Sequence, residues 1–296
     1  MTMNTKKLSL KVVAGIVLSG MLLVNTFSCT SCTICPPSGS EAGNTPVNIS
    51  VFLDLSDRLD STRNGGSSVS QMTRDTAIVN ALVESFIATC VEHKISENNN
   101  HFQILFHPVP KTSDIASLAA NLNVDMSKIS VPAEKKKKLM AMKDDFSKSL
   151  SQIYGQTLRD REWIGSDIWG FFCNRNAKVD ELCIRKGYRN IMVILTDGYI
   201  YHEANVQQDG NSYSYVLSNL IDNVPDLSLM APRKGLDSLE VMMLEINPGK
   251  PVRQSKLISV LETWLKEMGV KRYVVSETDM PSNTRTIIDN FLKGDR

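Results

Sequence analysis

Residues 47–58 read VNISVFLDLSDR, and residues 190–198 read NIMVILTDG. Both are apolar, β-branched runs that stop abruptly at polar residues, the pattern of a buried parallel strand reaching the edge of its sheet. Each delivers an aspartate at that edge, Asp54 and Asp197. Ligands of open α/β sheets bind outside the carboxyl ends of the strands, so function is sought where these two strands finish.

Outward from these runs, strands and helices alternate. Residues 57–67 are polar and contain Gly65 and Gly66, a loop at the binding end of the sheet. Ser68 and Gln71 match the S-x-x-Q capping box and predict a helix to about His93, with Ile78, Leu82, Phe86, Ile87 and Cys90 as its apolar stripe. HFQILF at 101–106 is the next strand, ended by Pro108 and Pro110. A short helix over 114–123 and a short edge strand within 124–131 follow. Pro132 then opens a helix whose Leu139, Met142, Phe146, Leu150 and Ile153 recur at helical spacing up to Gly155. In WIGSDIWGFF, at 163–172, Ser166 stands where a helix N-cap would. The strand at 191–196 leads into a polar loop over 199–212 and a helix over 213–223. A strand at 238–246, a helix at 252–268 closed by Gly269, a strand at 271–275 and a helix at 283–292 complete the chain. This order predicts an α/β fold, doubly wound, with a mostly parallel central sheet and helices on both faces.

The hydrophobic share of 42% over 296 residues is ample for one packed core. A net charge of +1, with Lys and Arg spread along the chain, gives no nucleic-acid footprint. The one basic run, 135–138, reads as a solvated face beside the amphipathic helix. At the N-terminus, Lys6, Lys7 and Lys11 flank an apolar stretch at 12–24 that is too short for an ordinary spanning helix, which marks an export signal. Ser28 before Cys29 resembles a bacterial lipoprotein processing site, so Cys29 is the candidate for lipid attachment, with plain cleavage or an uncleaved anchor as alternatives. PPSGSEAGNTP at 36–46 reads as a tether. The expected organisation is an export signal over 1–29, a flexible tether over 30–46 and a folded domain over 47–296, held in the bacterial cell envelope by an N-terminal lipid or signal anchor.

Six cysteines are present. Cys29, Cys32 and Cys35 form C-x-x-C-x-x-C, but no fourth cysteine follows nearby to complete an iron–sulfur set. In the folded part, Cys173 and Cys183 could form a disulfide in an oxidising compartment, or Cys90, Cys173 and Cys183 could be three buried thiols.

Taken together, the chain resembles a von Willebrand factor type A domain. In that family the first strand ends in D-x-S-x-S, a G-T-x-(I/L) segment follows mid-chain, and a hydrophobic strand ends in T-D-G. Here Asp54-Leu55-Ser56-Asp57-Arg58, Gly165-Ser166-Asp167-Ile168 and Thr196-Asp197-Gly198 stand at those positions. The resemblance implies a variant metal-ion-dependent adhesion site for Mg²⁺ or Mn²⁺. Ser56 and Ser166 would bind directly, Asp54 and Asp197 mainly through water, and an acidic side chain of a partner protein would fill the open position. Such a donor set suits a hard cation that gives up its waters reluctantly.

Arg58 departs from the pattern by replacing the second serine. It either points outward, leaving Asp57 or water to complete the shell, or folds over Asp54 and Asp197 and replaces the metal by an ion pair. Asp167 is expected to act favourably on the N-terminus of its helix. Tyr199, Tyr201 and His202 are candidate rim residues for the partner; His93, His101 and His107 read as structural.

Three functions compete. The first is a protein-binding module using the cation site. The second is a metal-free scaffold of an envelope complex. The third is a metal-dependent phosphotransferase with Asp54 as nucleophile, like haloacid-dehalogenase-type enzymes; but the second acid of D-x-D is here Ser56, and no enzyme activity is expected.

Overall fold

The computed structural model describes residues 45–60, 69–92, 94–109, 113–160, 166–173, 178–200, 208–249 and 251–294. They belong to the second of two units, Asn44–Arg296. The export signal, Cys29, Cys32, Cys35, Gly165, Tyr201 and His202 lie outside the described residues.

In chain order the elements are β1 (Val47–Leu53), α1 (Gln71–Glu92), β2 (His101–Leu105), α2 (Ser113–Ala120), β3 (Asn123–Asp125), α3 (Pro132–Asp160), α4 (Ile168–Phe172), α5 (Lys178–Cys183), β4 (Arg189–Leu195), β5 (Gln208–Asp209), β6 (Ser212–Tyr213), α6 (Ser218–Asn223), β7 (Ser228–Leu229), β8 (Leu239–Ile246), α7 (Pro251–Glu267), β9 (Arg272–Glu277) and α8 (Pro281–Lys293). The main sheet has the order β3-β2-β1-β4-β8-β9 and is parallel except for β3. Chain order along the sheet reverses between β1 and β4. That is the topological switch point, where a doubly wound sheet leaves a crevice at its carboxyl edge.

Both faces of the sheet are buried, which is why the strands read as continuous apolar runs. With period-2 alternation, Ile49, Val51 and Leu53 of β1 and Ile191, Val193 and Leu195 of β4 join one core with Leu82 and Phe86 of α1 and Phe146 of α3. Phe52, Met192 and Ile194 point to the other face, against Phe171 and Phe172 of α4 and Leu261 and Trp264 of α7. Each such fully buried side chain contributes about 1.5–3 kcal/mol.

Several local expectations change. α1 is capped by Ser70, whose hydroxyl accepts from Thr73 N at 3.2 Å, while Ser68 lies outside the described residues. The basic run sits inside α3, and Lys135 is buried with its ammonium donating to the carbonyls of Ser96 and Asn98. It is not a solvated residue, because its amine is used to close the loop before β2. Cys90, Cys173 and Cys183 are free thiols. Burial pushes Cys90 up to about 11 and Cys183 to about 12, which makes both inert. His101 is structural: its Nδ1 lies 2.6 Å from Asn48 Oδ1, and burial lowers its pKa to about 4.

Candidate functional site

Asp54 extends β1 by one residue, its N–H donating to Leu195 O at 3.2 Å. Its carboxyl is fully buried. Oδ1 accepts from Ser56 N and Oδ2 from the Thr196 hydroxyl, both at 2.8 Å, so the ends of β1 and β4 are tied together through this one side chain. Burial raises the Asp54 pKa, opposed by the Arg58 charge and by hydrogen bonds from Ser56 and Thr196.

Asp197 leaves β4 on the same edge. Its Oδ1 accepts from Tyr199 N at 3.0 Å, and its carbonyl accepts from Asn247 N at 3.0 Å, beyond β8. Burial, followed by the negative charge of Asp54, pushes the Asp197 pKa up to about 7. Gly198 has φ 98°, a left-handed conformation that suits glycine. A Cβ there would lie 2.8 Å from Leu257 Cδ2 and 3.2 Å from Ile246 Cγ2. The glycine of T-D-G is therefore required both by backbone conformation and by the close approach of α7.

Arg58 takes neither expected course. Ser56 leads into a short 3-10 turn, Asp57–Leu59, that directs Arg58 and Leu59 inward while Ser56 and Asp57 stay partly exposed. Arg58 Nε donates to the Asp54 carbonyl at 3.0 Å and lies 3.8 Å from Asp54 Oδ2. Its fork turns away to Asp75 on α1, with Nη2 at 2.6 Å and Nη1 at 3.4 Å. Asp75 also accepts from Tyr154 OH at 2.8 Å and from Gln71 Nε2 at 2.9 Å. Burial disfavours the Arg58 charge, but Asp75 and Asp54 outweigh it and raise its pKa. The guanidinium is thus built into the wall of the site and not folded across the two carboxylates of the β1 and β4 edges. Asp54 and Asp75 thus both lie against the Arg58 guanidinium.

Ser166 enters from the far side of β1. Asp167, not Ser166, is the N-cap of α4: its Oδ1 accepts from Gly170 N at 2.7 Å. Gly170 makes room for that cap, since a Cβ there would lie 2.2 Å from Asp167 Oδ2. Asp167 N donates to the His107 carbonyl at 2.9 Å, which fastens the segment to the end of β2. With the cap supplied by its neighbour, Ser166 is 3% exposed and its hydroxyl has no hydrogen-bond partner among the described residues. A buried hydroxyl left unmatched is unusual, and either a water or an ion would satisfy it. Tyr199, an expected rim residue, is half-buried, and its hydroxyl donates to Pro248 O at 3.4 Å.

Asp54, Ser56 and Asp197 thus come together at the ends of β1 and β4, Ser166 stands beside Asp167 at the end of the neighbouring β2, and Asp75, Tyr154 and Gln71, which the motifs did not reveal, join through Arg58. Asp75 had a signal: a carboxylate three residues before Ile78 and seven before Leu82 falls on the buried face of α1. Glu245 had one too, as an acid inside VMMLEI. It is 2% exposed with φ 71°, where the β8 and β9 register shifts, and Arg74 binds it through Nε at 2.6 Å and Nη2 at 3.1 Å.

No cluster of three or more His, Cys, Asp or Glu side chains among the described residues could hold a metal ion by itself. The unmatched Ser166 hydroxyl, together with two carboxyls of raised pKa, is a donor set that fits a partly hydrated hard cation and no soft one.

Fold and site define a doubly wound α/β protein with a polar site of hydroxyls and carboxyls at its switch point. No family model matches the sequence, and no curated protein matches it. Among solved structures the chain is similar to the pilus adhesin SpaC from Lactobacillus rhamnosus GG, with 10% identity and a TM-score of 0.38 over 85% of this chain and 31% of that one. The chain thus spans about a third of that protein's length, and a likeness of this size adds nothing to the reading of the site.

Proposed function

We propose that this chain is an exported, envelope-tethered module of the von Willebrand type A kind, which docks a protein partner at the carboxyl edge of its sheet through a divalent-cation site. The observation that carries this reading is the Ser166 hydroxyl, buried without a hydrogen-bond partner among the described residues, on the sheet edge where Asp54 and Asp197 end their strands. Ser56 and Ser166 would hold Mg²⁺ or Mn²⁺ directly, with Asp54 and Asp197 acting through its waters. The bound cation supplies a Lewis-acidic point for a carboxylate of the partner.

This chain's own residues prepare the site. Thr196 and the Ser56 amide fix the Asp54 carboxyl, the Tyr199 amide fixes Asp197, and the Asp167 cap leaves Ser166 free for a ligand. Export and tethering rest on Lys6, Lys7, the apolar stretch at 12–24 and Cys29. Asp54 is fully buried with both oxygens accepting hydrogen bonds, which places it poorly as a nucleophile and favours binding over phosphoryl transfer.

A second reading, the metal-free scaffold, is favoured by Arg58 Nε at 3.8 Å from Asp54 Oδ2, a cation already beside the site. Calorimetric titration of Mg²⁺ and Mn²⁺ into the purified protein separates the two. Saturable binding that Ser166→Ala and Asp54→Ala both lose is the expected result. A wild-type protein that takes up neither ion sinks the cation site and leaves the scaffold.

A further inference from the structure

β9 is the outer strand of the main sheet: among the described residues it pairs with β8 alone. The opposite edge is closed off differently, by β3, three residues long and antiparallel, which offers little ladder to a further strand. β9 has six residues, RYVVSE, and residues 272–274 are only half-buried. One side of its backbone therefore presents donors and acceptors to which no described strand pairs. An edge of this length is a template for another strand unless something covers it.

The strand is complementary to itself. Two copies pairing antiparallel about a two-fold axis perpendicular to the sheet keep their faces aligned, so a residue meets one an even number of positions away. With the axis at Val274, Lys271 stands opposite the second copy's Glu277, Tyr273 opposite its Val275, and Arg272 opposite its Ser276. The first is a pair of opposite charges and the second an aromatic on a β-branched residue, both favourable cross-strand pairs, and symmetry supplies each twice. Lys271 and Glu277 are exposed. Lys271 makes only a surface ion pair with Asp237 at 3.7 Å, a contact of little worth that leaves it able to serve another acid.

The strand is also held firm from behind. Arg272 binds Glu240 of β8 at 2.5 Å and lies 4.0 Å over the Phe291 ring of α8. A groove of about 570 Å³ runs between β9 and α8, with Tyr273, Val274, Ile287 and Phe291 among its lining. A second copy at this edge would bring its own α8 to the same face and close that groove.

We propose that the chain forms a two-fold dimer through β9, joining two sheets into one across an axis at Val274. This rests on the sheet edge and not on the cation site. Residues directly opposite in an antiparallel pair have Cα atoms about 4.5–5.5 Å apart, within disulfide reach. The test uses the full-length protein in detergent, oxidised with copper phenanthroline, with the wild type as control for its own cysteines. Val274→Cys is expected to give a disulfide-linked dimer that neither the wild type nor Val275→Cys gives, since position 275 on one copy faces 273 on the other.

By sedimentation, Lys271→Glu is expected to weaken association about tenfold, and Lys271→Glu combined with Glu277→Lys to restore it. Both positions are exposed, and thermal melts check that the variants fold. A protein that stays monomeric at tens of micromolar, a dimer indifferent to the charge reversals, or cross-linking through Val275→Cys in place of Val274→Cys overturns the proposal.

Discussion

The Arg58 guanidinium is the side chain on which the two readings of the site turn, and the structure changes what its removal should do. If Arg58 merely occupied a serine position, Arg58→Ser would improve a metal site at no other expense. Instead Arg58 is buried against Asp75, which Tyr154 and Gln71 also contact. Removing one partner of a buried pair leaves an uncompensated charge, and the loss is about 3–5 kcal/mol. Arg58→Ser is therefore expected to destabilise the protein by that amount in urea unfolding, and adding Asp75→Asn to recover most of it. If Arg58→Ser alone matched the wild type, the ion pair would not contribute to holding the site.

Part of this was legible in the sequence and part was not. Asp54 and Asp197 stood out because a hydrophobic run ending in an acid is a local pattern. The Arg58–Asp75 contact spans seventeen positions and depends on how the end of β1 packs against α1. Ser166 is marked in the sequence both by the G-S-D-I segment and as an N-cap, and the second reading gives way to Asp167, one residue on. That one-residue difference is what leaves its hydroxyl without a partner among the described residues.

Among the elements, the strongly periodic ones were readable, and so were the short α2 and edge strand β3, while the shortest strands were not. β1, β4, β8 and the long helices carry enough apolar repeats to fix their type. The three-stranded sheet of β5, β6 and β7 is built from two-residue strands, too short to show alternation, and α5 has six residues. α3 continues past Gly155 to Asp160 because Thr157 is buried and Leu158 packs on the core beyond it, and this tertiary packing outweighs the modest helix penalty of a glycine.

The junction of β4 with the loop after it depends on Gly198. Gly198→Ala must both hold φ 98° and push against Leu257 of α7, so it is expected to lower stability by about 1–3 kcal/mol. Since Gly198 adjoins Asp197, the same change should weaken Mn²⁺ binding about tenfold or more by calorimetry. A variant that kept full stability would mean that α7 yields at this contact.

For the molecule as a whole, the buried acids couple the site to global stability. In the unfolded chain Asp197 ionises near pH 4, whereas in the folded protein it holds its proton to about pH 7. Between those values the folded state binds the extra proton, so stability falls as the pH rises from about 4 to 7 and then levels off. Asp54 is shifted in the same direction. If the proposed site takes a divalent cation, the ion would favour the ionised carboxyls and oppose this trend, with protons competing below about pH 7.

With chelator present, the melting temperature should therefore decline from pH 5 to pH 8, and Asp197→Asn should flatten that decline. In Mg²⁺ at a hundred times its dissociation constant, linkage supplies about 2.7 kcal/mol. For a domain of this size that is roughly 5–10 °C at pH 8, with a much smaller gain at pH 5. The decisive comparison is the wild type at pH 8 with and without Mg²⁺. A melting temperature that ignores the ion, in a protein that still shows the chelated pH decline, would leave Arg58 as the cation beside Asp54 and favour the metal-free scaffold.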